Sequence, residues 1–279
     1  MRGRVRGDVA RTRVWGALAC ALALGACGSN EVPLAQLEPQ SLWDRAEAEY
    51  RAGEWEDAID AFQAFVFNHP THGRIQEARY MLALSYFQDE QYVTAAQEFA
   101  RLADDYPQGP WADDARFKTC DSYRALSPEI ELDQEYTRAA IEHCESLLAY
   151  YPDSEFADDA RAISEAMTNK LALKLFGSGE YYLRRNALDS AILTFEETVR
   201  LYPNTPVAPR ALLAIVRAYE QLRYDEEAAE ARQRLLGAYP QSEQAQVLRG
   251  ASSADTTGVE LPGPGAGATS EAEGRGGAG

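Results

Sequence analysis

Five times along this chain an aromatic residue or His followed by Pro closes a stretch of helical pattern: His69-Pro70, Tyr106-Pro107, Tyr151-Pro152, Tyr202-Pro203 and Tyr239-Pro240. The prolines stand 37, 45, 51 and 37 residues apart. A unit of that length holds two antiparallel helices, and a unit too small to bury its own apolar face must stack on its neighbours. Twelve residues before each proline the residue is alanine every time: Ala58, Ala95, Ala140, Ala191 and Ala228. Eight before it stand Phe62, Phe99, Cys144, Phe195 and Arg232. Twenty-four before it, on the preceding helix, stand Ala46, Ala83, Gly179 and Val216; Cys120 takes that place in the third unit once an insertion from Ser127 to Gln134 is allowed for.

The spacing has a packing logic. A small residue facing Ala lets two helix backbones approach closely, and the large residue one turn later fills the space beside them. Proline, which lacks an N–H and clashes with the preceding turn, then stops the second helix. The chain is therefore expected to be all-α, with five helix pairs over residues 41–249, in units of about 41–72, 76–109, 113–154, 155–206 and 208–246. Few helix breakers lie between Asp153 and Leu175, so the first helix of the fourth unit should be prolonged at its N-terminal end. Recurrence in register, with the turn Gly53-Glu54-Trp55-Glu56-Asp57-Ala58, resembles the tetratricopeptide repeat, and that resemblance implies a right-handed superhelix.

Residues 1–26 stand apart from the repeats. Arg2, Arg4, Arg6, Arg11 and Arg13 make a basic start, and Val14 to Leu24 is an apolar run shorter than the ~20 residues of a spanning helix. This is the pattern of a secretory signal peptide. Leu24-Gly25-Ala26-Cys27 resembles the lipobox of bacterial lipoproteins, which implies cleavage before Cys27 and acylation of that cysteine. The same resemblance, with no Asp directly after Cys27, implies transfer to the outer membrane, leaving the soluble part in the periplasm. Residues 27–40 then read as a tether, and residues 250–279, dominated by Gly, Ala, Ser, Thr and Glu, as a disordered tail.

The formal charge is −17, and it is more negative still once the Arg-rich start is set aside. Nucleic acid, whose phosphates call for Lys and Arg, is not an expected partner, and an anionic lipid surface would not hold the chain without an acyl anchor. The pairs Asp104-Asp105, Asp113-Asp114, Asp158-Asp159 and Glu226-Glu227 read as helix starts or solvated faces.

Little in the sequence suggests chemistry. His69, His72 and His143 lack ligands at metal spacing, and Glu142-His143-Cys144-Glu145 are adjacent helix positions that point to different sides. No Gly-x-Ser-x-Gly, Cys-x-x-Cys or His-Glu-x-x-His is present. The chain reads as a non-enzyme without cofactor or metal. Cys120 and Cys144 occupy repeat positions expected to lie near each other, so they are either a disulfide, favoured by an oxidising compartment, or two buried small residues. Trp43, Tyr50, Tyr80 and Phe87, on the first helices of their units, are candidates for a peptide-binding groove, the alternative being that they pack between repeats.

Lipobox, five repeats, the prolonged interval from Asp153, and Glu180-Tyr181-Tyr182-Leu183-Arg184-Arg185 ahead of Ala191-Ile192 come in an order that resembles the BamD or ComL family of outer-membrane assembly lipoproteins. That resemblance implies a periplasmic scaffold of the machinery that inserts β-barrel proteins into the outer membrane. It implies a C-terminal repeat face that binds the periplasmic domains of the central barrel component, BamA, and N-terminal repeats that meet unfolded barrel substrates. Carried onto this chain, the partner face would use Tyr181, Arg184 and Arg185, with Tyr182 the weaker candidate. Many relatives have Asn-Arg where this chain has Leu193-Thr194, and Thr194 cannot form an arginine's ion pair. Cell-envelope scaffolds tied to peptidoglycan, the Tol system or pili share the lipobox and repeats, and remain the alternative reading.

Overall fold

The structure, a computed structural model, describes residues 32–256, with side chains as far as residue 250. The expected signal peptide, Cys27, the start of the expected tether and residues 257–279 lie outside the described residues. Eleven α-helices occur among the described residues: α1 (Pro39–Ala52), α2 (Trp55–Asn68), α3 (Ile75–Gln88), α4 (Tyr92–Asp105), α5 (Ala112–Leu126), α6 (Glu135–Tyr150), α7 (Ala157–Arg184), α8 (Leu188–Leu201), α9 (Val207–Leu222), α10 (Asp225–Ala238) and α11 (Glu243–Thr256). None of them is both long and apolar enough to cross a membrane. The chain divides into two compact units, the first extending to Ser122 and the second beginning at Tyr123, inside α5. In the first, α1 packs on α2, α2 on α3 and α3 on α4; in the second, each helix from α6 to α9 packs on its successor, and α7 also reaches α9.

The five prolines make one recurrent joint. α2, α4, α6, α8 and α10 all end just before the His or Tyr, whose φ lies between −133° and −128° and ψ between 50° and 62°. That backbone is outside the helical region, as expected for a residue preceding proline. The capping N–H still donates to a helix carbonyl, from Phe65, Leu102, Leu147, Thr198 or Leu235. The carbonyl of the same residue then accepts from the N–H three residues on, in His72, Gly109, Ser154, Thr205 and Ser242, at 2.8–3.2 Å. Proline sits second in this turn, where its fixed φ is already correct.

The small-residue register is buried throughout. Ala58, Ala95, Ala140 and Ala191 have no exposed surface and Ala228 only 4%. In the fourth unit the reason is visible at atomic scale: a Cβ built on Gly179 would stand 2.4 Å from Cε1 of Phe195. Phe62, Phe99 and Phe195 are fully buried, each contributing about 1.5–3 kcal/mol of apolar transfer. The fifth unit differs, because Arg232 at that register turns outward and donates to Glu220 on α9 at 2.6 Å.

Two boundaries depart from the sequence reading. The expected tether is partly structured, since a 3-10 turn at Leu34–Gln36 precedes α1, and Leu34 and Leu37 pack on the first core. The expected tail boundary at residue 250 falls inside α11, an additional helix whose Ala245 and Leu248 are buried. Of the acidic pairs, Asp113-Asp114, Asp158-Asp159 and Glu226-Glu227 occupy first helical turns, and Asp104-Asp105 lie exposed at the end of α4, each in one of the two settings expected. Negative charge at a helix C-terminus opposes the dipole; here Arg116 meets Asp104 at 2.7 Å and Arg79 meets Asp105 at 2.6 Å.

Candidate partner-binding site

The prolonged α7 carries the candidate face at its C-terminal end. Tyr181 and Tyr182 are 47% and 37% exposed, and Arg184 and Arg185 are exposed as well. The two tyrosine rings meet edge to face at 5.7 Å, and the Arg185 guanidinium lies 5.1 Å over the Tyr181 ring. Neither Arg184 nor Arg185 has a carboxylate partner among the described residues. Tyr181, Tyr182 and Arg184 line one side of a groove of about 510 Å³, and Ile130 and Glu131 line the other.

That second wall is the insertion between α5 and α6, and a polar network holds it in place. Lys174 on α7 donates to the carbonyls of Ile130 at 3.0 Å, Glu131 at 3.1 Å and Leu132 at 2.5 Å. One turn earlier, Lys170 donates to Ser127 Oγ at 2.7 Å. From inside the loop the buried Gln134 donates to the carbonyls of Glu129 and Leu132, and its own side-chain oxygen accepts from Thr137 at 2.7 Å. A cation shared by three carbonyls substitutes for the helix or sheet bonds the loop lacks. Sequence reasoning located the insertion but not Lys170 and Lys174, which lie 42 to 44 residues from the loop residues they bind.

The aromatic candidates in the first unit divide. Trp43 is 3% and Tyr80 7% exposed, so both are core residues, and the expectation that they line a peptide groove is corrected for these two. Trp43 packs edge-on against Phe62 and Phe65, with the Arg74 guanidinium covering its outer face at 3.4 Å. Tyr80 stacks on Trp111 at 4.6 Å, and burial, reinforced by the Asp114 carboxylate, holds its phenol proton well above the usual range. Tyr50 and Phe87 are half-buried, edge-on to Trp55 and Tyr92, each at 5.2 Å. Among the remaining candidates, His143 stacks on Tyr123 at 4.8 Å, and Cys120 and Cys144 are fully buried. Leu193 is 71% exposed, and the hydroxyl of Thr194 is turned back to the Ser190 carbonyl at 2.8 Å.

Residues 35–246 match the family described as YfiO, outer membrane lipoprotein. The chain belongs to this family. The matched span opens at the 3-10 turn before α1 and closes within α11, so the YfiO match and the repeat array coincide. The chain is 27% identical over 220 residues to the outer membrane protein assembly factor BamD of Vibrio cholerae, covering 74% of this chain and 90% of that protein. With the protein of the same name from Caulobacter vibrioides it shares 27% over 176 residues, 63% of this chain but only 58% of the relative. The Rickettsia prowazekii BamD is 25% identical over 217 residues, covering 76% and 84%. Among solved structures, the TPR2AB domain of yeast Sti1 aligns over 78% of this chain and 84% of that one, with a TM-score of 0.42 and 12% identity.

Proposed function

We infer that this YfiO-family chain is a lipid-anchored periplasmic scaffold for the assembly and insertion of β-barrel proteins into the outer membrane, working by binding and not by covalent chemistry. The observation that carries this reading is the family match from residue 35 to 246, which takes in the whole repeat array. The end of α7 is the surface best suited to a BamA-like barrel component with periplasmic domains. Its exposed tyrosines offer contact area at low entropic cost, and Arg184 and Arg185 offer charge that no carboxylate among the described residues engages. Unfolded barrel substrates would meet the N-terminal repeats, where Tyr50 and Phe87 are the two of the four groove candidates that keep exposed surface.

Acylated Cys27 would supply the anchor. A single acyl chain binds a membrane only marginally, whereas two or three hold durably. Tethering also raises the scaffold's effective concentration toward a membrane partner without adding a contact. The test is an affinity pull-down from detergent extracts with a C-terminally tagged chain, compared with Tyr181→Ala/Arg185→Glu and with Cys27→Ala. Co-purification of a large outer-membrane barrel protein bearing periplasmic domains, weakened about tenfold by the double substitution, is the expected result. Recovery of peptidoglycan-linked or pilus components alone would overturn the reading.

A further inference from the structure

The arginines of this chain are unevenly satisfied. In the second unit Arg200 pairs with Glu197, Arg232 with Glu220 and Arg234 with Glu196. The guanidinium groups of Arg210, Arg217 and Arg223 have neither a carboxylate nor a hydrogen-bond partner among the described residues, although the chain carries 44 acidic residues against 27 basic ones. Arg210 and Arg217 stand on one face of α9, two turns apart, and line a groove of about 420 Å³ facing α7, with Gln244 of α11 at its end. The floor is apolar: Phe176 is 6% and Leu213 9% exposed, and the Arg210 guanidinium lies 4.6 Å over the Phe176 ring. Glu180 is the one carboxylate on its walls among the described residues.

We propose that this groove is a second docking site, distinct from the tyrosine–arginine face of α7, and that it takes an extended polypeptide segment in which two carboxylates flank an apolar side chain. Seven residues of helix separate Arg210 from Arg217 by about 10.5 Å, the reach of about three residues of extended chain. Two arginines outweigh Glu180, so the groove is locally positive on a strongly acidic protein and selects acidic segments by complementarity. A flat anionic bilayer fits less well, because the rest of the chain would be repelled by it. The proposal does not depend on the assembly reading, since it rests on the groove's charge and shape alone.

The probe is a fluorescein-labelled peptide, Ser-Glu-Phe-Thr-Glu-Ser, and its twin with Gln for both Glu, titrated by fluorescence anisotropy against the full chain in detergent. The acidic peptide is expected to bind, and the neutral twin about tenfold more weakly. Arg210→Glu/Arg217→Glu should abolish the difference, while Glu180→Gln should tighten the acidic peptide about two- to threefold. All three residues are exposed, so the variants should keep the parent's thermal melt, which is recorded alongside. Equal affinity for the two peptides overturns the proposal. So does a double variant that loses only retention on phosphatidylglycerol vesicles, which would mark a lipid-facing patch. A chain cut after Thr256 that binds the acidic peptide more tightly would support the groove and identify the chain's own acidic C-terminal segment as a competitor for it.

Discussion

Gly179 and Gly177 lie two positions apart on α7 and should respond oppositely to the same substitution. At Gly179 the added methyl would press into the Phe195 ring at 2.4 Å, while at Gly177 it meets nothing within 4 Å. Overpacking costs about 1–3 kcal/mol, and Ala in place of Gly gains a helix about 1 kcal/mol. Gly179→Ala is therefore expected to lower the urea midpoint and Gly177→Ala to raise it, both read by circular dichroism. A rise for Gly179→Ala would mean that the close approach of α7 and α8 is not what holds glycine there. The cysteines offer a second residue-scale prediction. We expect the two buried sulfurs, Cys120 and Cys144, to form a disulfide in chain made in the periplasm. The denatured soluble portion should then take up no alkylating reagent before reduction, and two equivalents after it. Reduction would cost about 2–4 kcal/mol; alkylation without reductant would show two buried thiols instead.

At the scale of elements, the repeat register was legible because its signals are local and recur: Ala at one spacing, Pro at another, and a stretch without breakers that became the 28-residue α7. The turn inside each pair was only partly legible. Gly53, Glu90, Asn186 and Arg223 all have positive φ, between 55° and 78°, and each stands seventeen residues before its repeat's proline. Gly53 advertises that backbone and Asn186 is compatible with it; Glu90 and Arg223 carry side chains that rarely adopt it, so nothing in their identity marked the position. The third repeat spends its insertion at this point instead. Trp43 and Tyr80 were misread because an aromatic on a first helix has the same spacing whether it faces a groove or the next repeat. Arg74 and Trp111, which cover them, are distant in sequence. The loop latch was illegible for the same reason. Lys174→Met should release the three carbonyls it binds, and hydrogen exchange over residues 127–134 should rise at least tenfold, while α1 to α4 exchange as before. Unchanged protection would assign the loop's order to Gln134, Thr137 and Lys170 instead.

Over the whole molecule, tyrosine burial sets an alkaline limit on stability. Burial is the leading cause raising the phenol pKa of Tyr50, Tyr80, Tyr86, Tyr202, Tyr219 and Tyr239. Each therefore favours the neutral phenol more strongly in the folded chain than in the unfolded one. That contribution is complete below the unfolded value of about 10 and is lost as pH rises through the folded values. The urea midpoint should hold steady between about pH 8 and 9.5 and fall above about pH 10, with tyrosinate absorbance in the native chain lagging behind that of the unfolded chain. A midpoint that stays flat to pH ~11 would contradict this.

Acidic charge and stacked helix pairs, with the acyl anchor proposed at Cys27, suit a scaffold whose work would be to hold partners in place. The most direct test is depletion of the chain from its own cells, followed by measurement of folded outer-membrane β-barrels through their heat-modifiable migration in gels. The account expects folded barrels to fall as the chain is lost, with unfolded barrel protein accumulating in the periplasm and inner-membrane proteins unaffected. It also expects the full-length chain to restore them and Tyr181→Ala/Arg185→Glu to restore them poorly. Normal barrel levels after complete depletion would contradict it.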